Sequence, residues 1–345
     1  MTTHCVRRLA AFALTMAATL AQAAVGLTIL PGTAGDGPVT LFHPTAAAET
    51  PFVRGPFQMH YAVNAEPARG NGRLVVLSHG SGGSPWVHSD LARALVDAGF
   101  VVAMPEHRGD NHRDHSTPGP ASWAVRPLEV SRAIDAVGAD PRFAQALVFG
   151  AVGVYGMSAG GHTALSLAGG RWSPAGFRDH CAAHLADDFP ACVGLATRLT
   201  GGTFDGLKKW VALRIIRRRF DDARPHTHTD PRVRAIVAAV PFAADFDMAS
   251  FAAPHVPLGI VGAGQDRWLA PAFHSGAVLA ACKPCERIAD LPEAGHGALL
   301  SPAPPAEALA PAAAALLGDP PGFDRRVLPA VDQRIAAFFV RHLLP

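Results

Sequence analysis

Tyrosine occurs only twice, and aromatic residues make up 7% of the 345-residue chain. That scarcity speaks against a carbohydrate-binding surface built from stacked rings. Neither sign of charge is in excess: 30 Lys and Arg against 28 Asp and Glu leave a formal +2. The overall field therefore points to neither nucleic acid nor an acidic partner. Beyond residue 20 no apolar run approaches the roughly 20 residues that a bilayer span needs. Cysteine is sparse, five in all, and none follows directly on the N-terminal apolar run, where a lipoprotein anchor requires one. What remains is an ordinary globular composition, 49% hydrophobic and 17% charged, with enough chain for one large α/β domain plus a lid.

The N-terminus reads as a targeting segment. Arg7 and Arg8 precede an apolar stretch from Leu9 to Leu20, and Ala21-Gln22-Ala23 supplies a small-x-small cleavage pattern. Residues 1–23 are expected to be a signal peptide, leaving an exported, periplasmic or secreted chain from residue 24. In an oxidising compartment the remaining Cys181, Cys192, Cys282 and Cys285 suggest disulfides. Local pairing, Cys181 with Cys192 and Cys282 with Cys285, is the simplest of three connectivities. Cys282-Lys-Pro-Cys285 has redox spacing but lacks the thioredoxin context, so a structural bond is the preferred reading over a redox pair or a zinc site.

Short strand-like pieces, Leu27–Leu30, Val39–Phe42 and Phe57–Val63, open the chain as expected antiparallel edge strands. Regular alternation follows: strands at Leu74–Ser78, Val101–Pro105, Val152–Tyr155, Val233–Val240, Leu258–Val261 and Glu286–Ala289, with helices between them, among them Pro127–Val137 and Ala159–Ala168. A helix from Val331 to Leu344 closes the chain. Near-continuous apolar strands separated by helices predict a mostly parallel central sheet covered by helices on both faces. The interval from about 171 to 231 is too long for a strand-to-helix connection and reads as an inserted lid. Its basic stretch from Lys208 to Phe220 offers Leu207, Val211, Leu213, Ile215 and Ile216 as an acyl-pocket lining. The opposite face, with Lys208, Lys209, Arg214, Arg217, Arg218 and Arg219, faces water, and such a helix also suits peripheral contact with lipid. The Ala/Pro-rich segment from Ser301 to Pro321 reads as an irregular connector.

The chemistry is written in Val152-Gly-Val-Tyr-Gly-Met-Ser-Ala-Gly-Gly-His162. An apolar strand breaks into Gly156-Met157-Ser158-Ala159-Gly160 and runs straight into a helix-forming stretch, which is the context of a nucleophile elbow. So tight a turn requires residues without side chains two positions either side of Ser158, and both are glycine. Serine is a poor nucleophile at neutral pH and needs a base, and the base needs a partner that sets its tautomer. In this arrangement the chain order is Ser, acid, His. His296, between Gly295 and Gly297 beyond the last strand, is the expected base. Its competitors are His180, His184, His226 and His228 in the lid, together with His255, His274 and His342. Asp266, just after a buried strand, is the expected acid, with Asp245 and Asp247 after the preceding strand as rivals. An oxyanion needs backbone N–H donors, expected from Ala159 and from Ser81 in His79-Gly80-Ser81-Gly82-Gly83. These glycines match no dinucleotide or nucleotide fingerprint, and no cofactor is expected.

Together these residues resemble the α/β-hydrolase superfamily. The closer likeness is to its bacterial branch named predicted dienelactone hydrolases, related to platelet-activating-factor acetylhydrolases. It rests on Leu77-Ser-His-Gly-Ser-Gly-Gly83, Ala98-Gly-Phe-Val-Val102, Arg126-Pro-Leu-Glu-Val-Ser131, Gly156-Met-Ser-Ala-Gly-Gly-His162 and Gly295-His-Gly297. The resemblance implies a metal-independent serine esterase acting on a small-molecule ester. True dienelactone hydrolases carry a cysteine nucleophile where this chain has Ser158, so the branch name does not give the substrate. In the acetylhydrolase relatives the acid can follow the earlier strand, which keeps Asp245 and Asp247 open.

Two further clusters are dense in metal-ligand types, Glu106-His-Arg-Gly-Asp-Asn-His-Arg-Asp-His115 and His226-Thr-His-Thr-Asp230. Neither has the spacing of a defined zinc site, and the first is expected to shape the pocket mouth. The alternatives to an esterase are a peptidase or amidase with the same triad, or a non-catalytic relative that binds through its lid.

Overall fold

The computed structural model describes residues 24–33 and 35–345; the signal-peptide expectation for 1–23 lies outside the described residues. The first strands are β1 (Ala24–Leu30), β2 (Val39–Thr45), β3 (Thr50–Arg54), β4 (Phe57–Val63) and β5 (Leu74–Ser78). Helix α1 (Ser89–Asp97), β6 (Val101–Pro105), α2 (Pro120–Ala139), α3 (Pro141–Ala144), β7 (Val152–Met157) and α4 (Ala159–Leu167) follow. An insert then carries β8 (Arg171–Trp172), α5 (Pro174–His184), α6 (Phe189–Val193) and α7 (Asp205–Arg219). The chain returns through β9 (Val233–Ala239), β10 (Phe246–Asp247), β11 (Leu258–Ala263), α8 (Ser275–Ala281) and β12 (Glu286–Leu291), and ends in α9 (Pro311–Leu317) and α10 (Leu328–Leu343).

Ten strands form one sheet in the order β12-β11-β9-β7-β5-β6-β2-β1-β4-β3. The six from β12 to β6 are mutually parallel. Antiparallel pairing enters where β2 meets β6 and continues through β1–β2 and β3–β4, whereas β1 and β4 are parallel. Side chains alternate across the pleat. Leu74 and Val76 of β5 enter one core with α2 and α4, while Val75 and Leu77 enter the other with α1 and α10. Every residue of β5 and of β7 is buried, as central strands covered on both faces must be.

Helix α2 begins seven residues before the expected Pro127, and the reason is local. Pro120 takes the first turn, where the missing N–H costs nothing, and Pro127 is carried inside the helix. The segment expected as an irregular connector is likewise corrected: its alanine run, a strong helix former, forms α9 behind Pro311.

In the insert, Cys181 and Cys192 lie at disulfide distance with Cα atoms 5.7 Å apart, as do Cys282 and Cys285 at 5.4 Å. Closing an 11-residue separation restricts the unfolded chain by about 3 kcal/mol. The Cys181→Ser/Cys192→Ser variant is expected to unfold at correspondingly lower urea, and reduction of the parent should reproduce part of that shift.

Where α10 packs on α1, burial and then the neighbouring Asp90 carboxylate push the Asp332 carboxyl up to about 7 from its ordinary 3.8. The folded chain thus keeps a proton that the unfolded chain releases, so stability falls as pH rises from about 4 through 7. Asp332→Asn is expected to raise Tm by about 5 °C at pH 8 and to leave it nearly unchanged at pH 4, as thermal melts at the two values will show.

Candidate active site

At the carboxyl end of β7 the chain turns through Ser158 with φ 58° and ψ −117°, a conformation that a non-glycine residue adopts only under strain. The turn closes because its flanks carry no side chain. A Cβ on Gly156 would strike the Gly160 carbonyl, and one on Gly160 would strike the Ser78 carbonyl. The hydroxyl is thereby held above the sheet while α4 starts at Ala159 with its N–H pointing out of the helix.

His296 reaches this hydroxyl from the loop after β12. The Ser158 hydroxyl donates to His296 Nε2 at 2.9 Å, and His296 Nδ1–H donates to Asp266 Oδ2 at 2.7 Å. Asp266 is itself fixed, its Oδ1 accepting from the N–H groups of Trp268 and Leu269, each at 2.8 Å. Both ends of the imidazole are occupied, so the tautomer follows from the partners. His296 and Asp266 are buried, and Ser158 is partly open to the pocket. The rival acids go elsewhere. Asp245 bonds His162 Nε2 at 3.0 Å in full burial, and Asp247 pairs with exposed Arg171 at 2.7 Å. Among the competing histidines, His180 and His274 both bond Asp188, His226 stacks on Trp172, and His228 bonds Ser131.

Beside Ser158 runs the loop of residues 79–83. Gly80 is close enough that an added Cβ would touch Ser158 Cβ at 3.4 Å. Gly82 N–H and the Ser81 hydroxyl both donate to Asp110 Oδ1, at 3.0 and 2.5 Å. Arg126, wholly buried, clamps the same parts: Nη1 donates to the His79 carbonyl at 2.6 Å, and Nη2 to Asp110 Oδ2 at 2.8 Å. Below them, burial pushes the imidazoles of His79 and His107 well below their ordinary values. Neutral His107 donates from Nδ1 to Glu129 at 2.6 Å and accepts from the Ser78 hydroxyl at 2.7 Å. The Glu106–His115 cluster is therefore chiefly a scaffold under this loop, although His112 does line the pocket. Among the described residues no group of three or more His, Cys, Asp or Glu side chains is arranged to hold a metal ion.

Reading the sequence missed Asp110 and Arg126. Arg126 stood in one of the stretches that carry the resemblance, and Asp110 in the Glu106–His115 cluster, but neither was assigned a part in the site.

Ser158 and His296 open into a cavity of about 550 Å³ walled by Trp86, Phe57, Trp268, Leu300, Leu309, Leu316 and Leu317, with Arg54 and His112 also on its lining. The expected acyl lining from the insert is corrected. Of residues 171–231 it is Leu195 that lines this cavity. Leu207, Val211 and Ile215 stand well exposed, Ile216 is buried in the core, and Leu213 packs against that core. Pro304, Ala308, Leu309, Ala313, Leu316 and Leu317 of the segment 304–317 take that place in the apolar wall, beside Phe57, Trp86, Trp268 and Leu300.

No protein-family model and no curated protein matches the chain. Among solved structures it is similar to a ferulic acid esterase from Streptomyces cinnamoneus. The TM-score is 0.58 at 18% identity, over 93% of this chain and 91% of that one. At this identity the likeness speaks for the fold and carries nothing for the dienelactone-hydrolase branch. The chain has an α/β-hydrolase type of fold, a large mostly parallel sheet flanked by helices.

Proposed function

We propose that the protein is a serine hydrolase that cleaves carboxylic esters through an acyl-enzyme on Ser158. The observation that carries this reading is the unbroken chain of hydrogen bonds from Asp266 through His296 to a strained Ser158 at the edge of an apolar cavity. Ser158 Oγ attacks the ester carbonyl as its proton passes to His296 Nε2, and Asp266 holds the resulting imidazolium. The N–H groups of Ala159 and Ser81 receive the oxyanion; neither N–H has another partner among the described residues. His296 returns the proton to the departing alkoxide, and water enters by the reverse sequence to free the acid and restore Ser158.

The wall of leucines and two tryptophans favours an apolar or aryl group on the substrate, consistent with the ester class named for the structural neighbour. Two cysteine pairs at disulfide distance support the exported setting. No described helix is long and apolar enough to cross a membrane. The segment 304–317, together with Leu195 of the insert, is the cover of the pocket in this reading.

Fluorophosphonate labelling tests the proposal, with the modified residue mapped by mass spectrometry. An adduct is expected on Ser158, and none in the His296→Ala variant. Folded protein that takes no label, or labels elsewhere, removes the reading.

A further inference from the structure

Helix α7 stands out on the surface for what it leaves uncovered. Phe204 just before it and Leu207, Trp210 and Ile215 within it are 72%, 56%, 61% and 50% exposed, and Val211 joins them on the same side. At 100° per residue these five fall on one broad arc of the helix, opposite Ile216, which is buried in the core. Exposed Arg214, Arg217 and Arg218 share that arc. None of the three lies within ion-pair distance of a described carboxylate, and the Arg214 guanidinium rests 6.0 Å over the Trp210 ring. The one acid of the helix, Asp205, is turned aside to Lys208.

A solvated helix face carries charges of both signs and few large apolar groups, and contiguous apolar patches on a lone surface mark interaction sites. This face mixes large apolar side chains with unpaired arginines and has no acid. Such a pattern fits a layer with an apolar interior and anionic headgroups. An indole among guanidinium groups is suited to the boundary between them. The face also leads to the pocket. Lys208 Nζ donates to the Arg198 carbonyl at 2.8 Å, tying α7 to the segment of Leu195, which is 53% exposed and lines the cavity of Ser158.

We propose that α7 docks the protein on an anionic lipid surface, with Trp210 and its apolar neighbours entering the headgroup boundary and Arg214, Arg217 and Arg218 pairing with the headgroups. The pocket mouth at Leu195 is thereby brought to the lipid layer. The docking face stands independently of the chemistry proposed for Ser158, and binding is read without turnover.

The test is co-sedimentation of the purified protein with vesicles of phosphatidylglycerol and phosphatidylcholine, against vesicles of phosphatidylcholine alone. Binding is expected to be at least tenfold tighter to the anionic vesicles and weakened by salt, with a blue shift of tryptophan fluorescence that Trp210→Ser removes. Neutralising the three arginines together (Arg214→Gln, Arg217→Gln, Arg218→Gln) is expected to weaken binding by about 100-fold. The same variants should keep the circular dichroism of the parent and its rate on a water-soluble short-chain ester. Equal binding to both vesicle types, or none to the anionic ones, overturns the proposal. So does a dimer in sedimentation velocity that Trp210→Ser dissociates while vesicle binding is absent, which assigns the face to a second copy.

Discussion

Ester hydrolysis by the Ser158→Ala variant is expected to fall about 10⁶-fold in kcat, with the circular dichroism spectrum unchanged. On the proposed reaction the alanine removes the attacking oxygen and leaves the rest of the pocket in place. Removing His296 should cost about as much, because in the proposed mechanism neither residue acts without the other. Asp266→Asn is the sharper test of the acid. It keeps the shape of the site but offers the wrong tautomer to His296, and kcat is expected to drop about 10⁴-fold. Asp245→Asn changes only the partner of His162, which bonds it in a closed aromatic cage, so stability should fall while kcat holds. Measuring kcat for both asparagine variants on one ester therefore decides between the two acids. The strain at Ser158, φ 58°, has its own readout. Ser158→Gly should melt higher than Ser158→Ala, since glycine takes positive φ without the roughly 1 kcal/mol cost an alanine carries there.

The second large effect concerns a pair that does not line the cavity. Arg126 and Asp110 are both wholly buried and bonded at 2.8 Å. Removing one partner strands the other charge in the interior, at a cost of about 3–5 kcal/mol. Arg126→Met is expected to lose that much stability in urea unfolding. Asp110→Ala frees the Ser81 hydroxyl and the Gly82 N–H that Asp110 holds, so the loop offering the Ser81 N–H loses its position as well. On the proposed reaction kcat should then fall about 10²-fold with KM nearly unchanged, the loss expected when one oxyanion donor is misplaced. Asp230→Ala supplies the control. It breaks an ion pair with Arg232 at 2.7 Å, far along the chain from the loop, and should lower stability without moving kcat. If Asp110→Ala behaves like Asp230→Ala, the pair is structural alone.

Local chemistry determined much of this from the sequence itself. The strand and helix order follows from apolar runs and their breaks, and the elbow from two glycines around Ser158, because these are interactions between residues a few positions apart. The loops bearing His296 and Asp266 were legible for the same reason, Asp266 standing just past a buried strand and His296 between two glycines beyond the last strand. Position after a buried strand favoured Asp266 but left Asp245 and Asp247 open. All three follow strands at the same end of the sheet, and only the packed arrangement turns Asp266 toward His296 and Asp245 toward His162. The Arg126–Asp110 clamp joins a helix to two loops, and its bond to the His79 carbonyl spans 47 positions, which no periodicity records. The pocket wall was misplaced because amphipathicity says that a face must be covered and does not say by what. The apolar face of α7 is left exposed on the surface, and residues of the alanine-rich segment from 304 to 317 line the cavity of Ser158 in its place, a packing between segments distant in sequence.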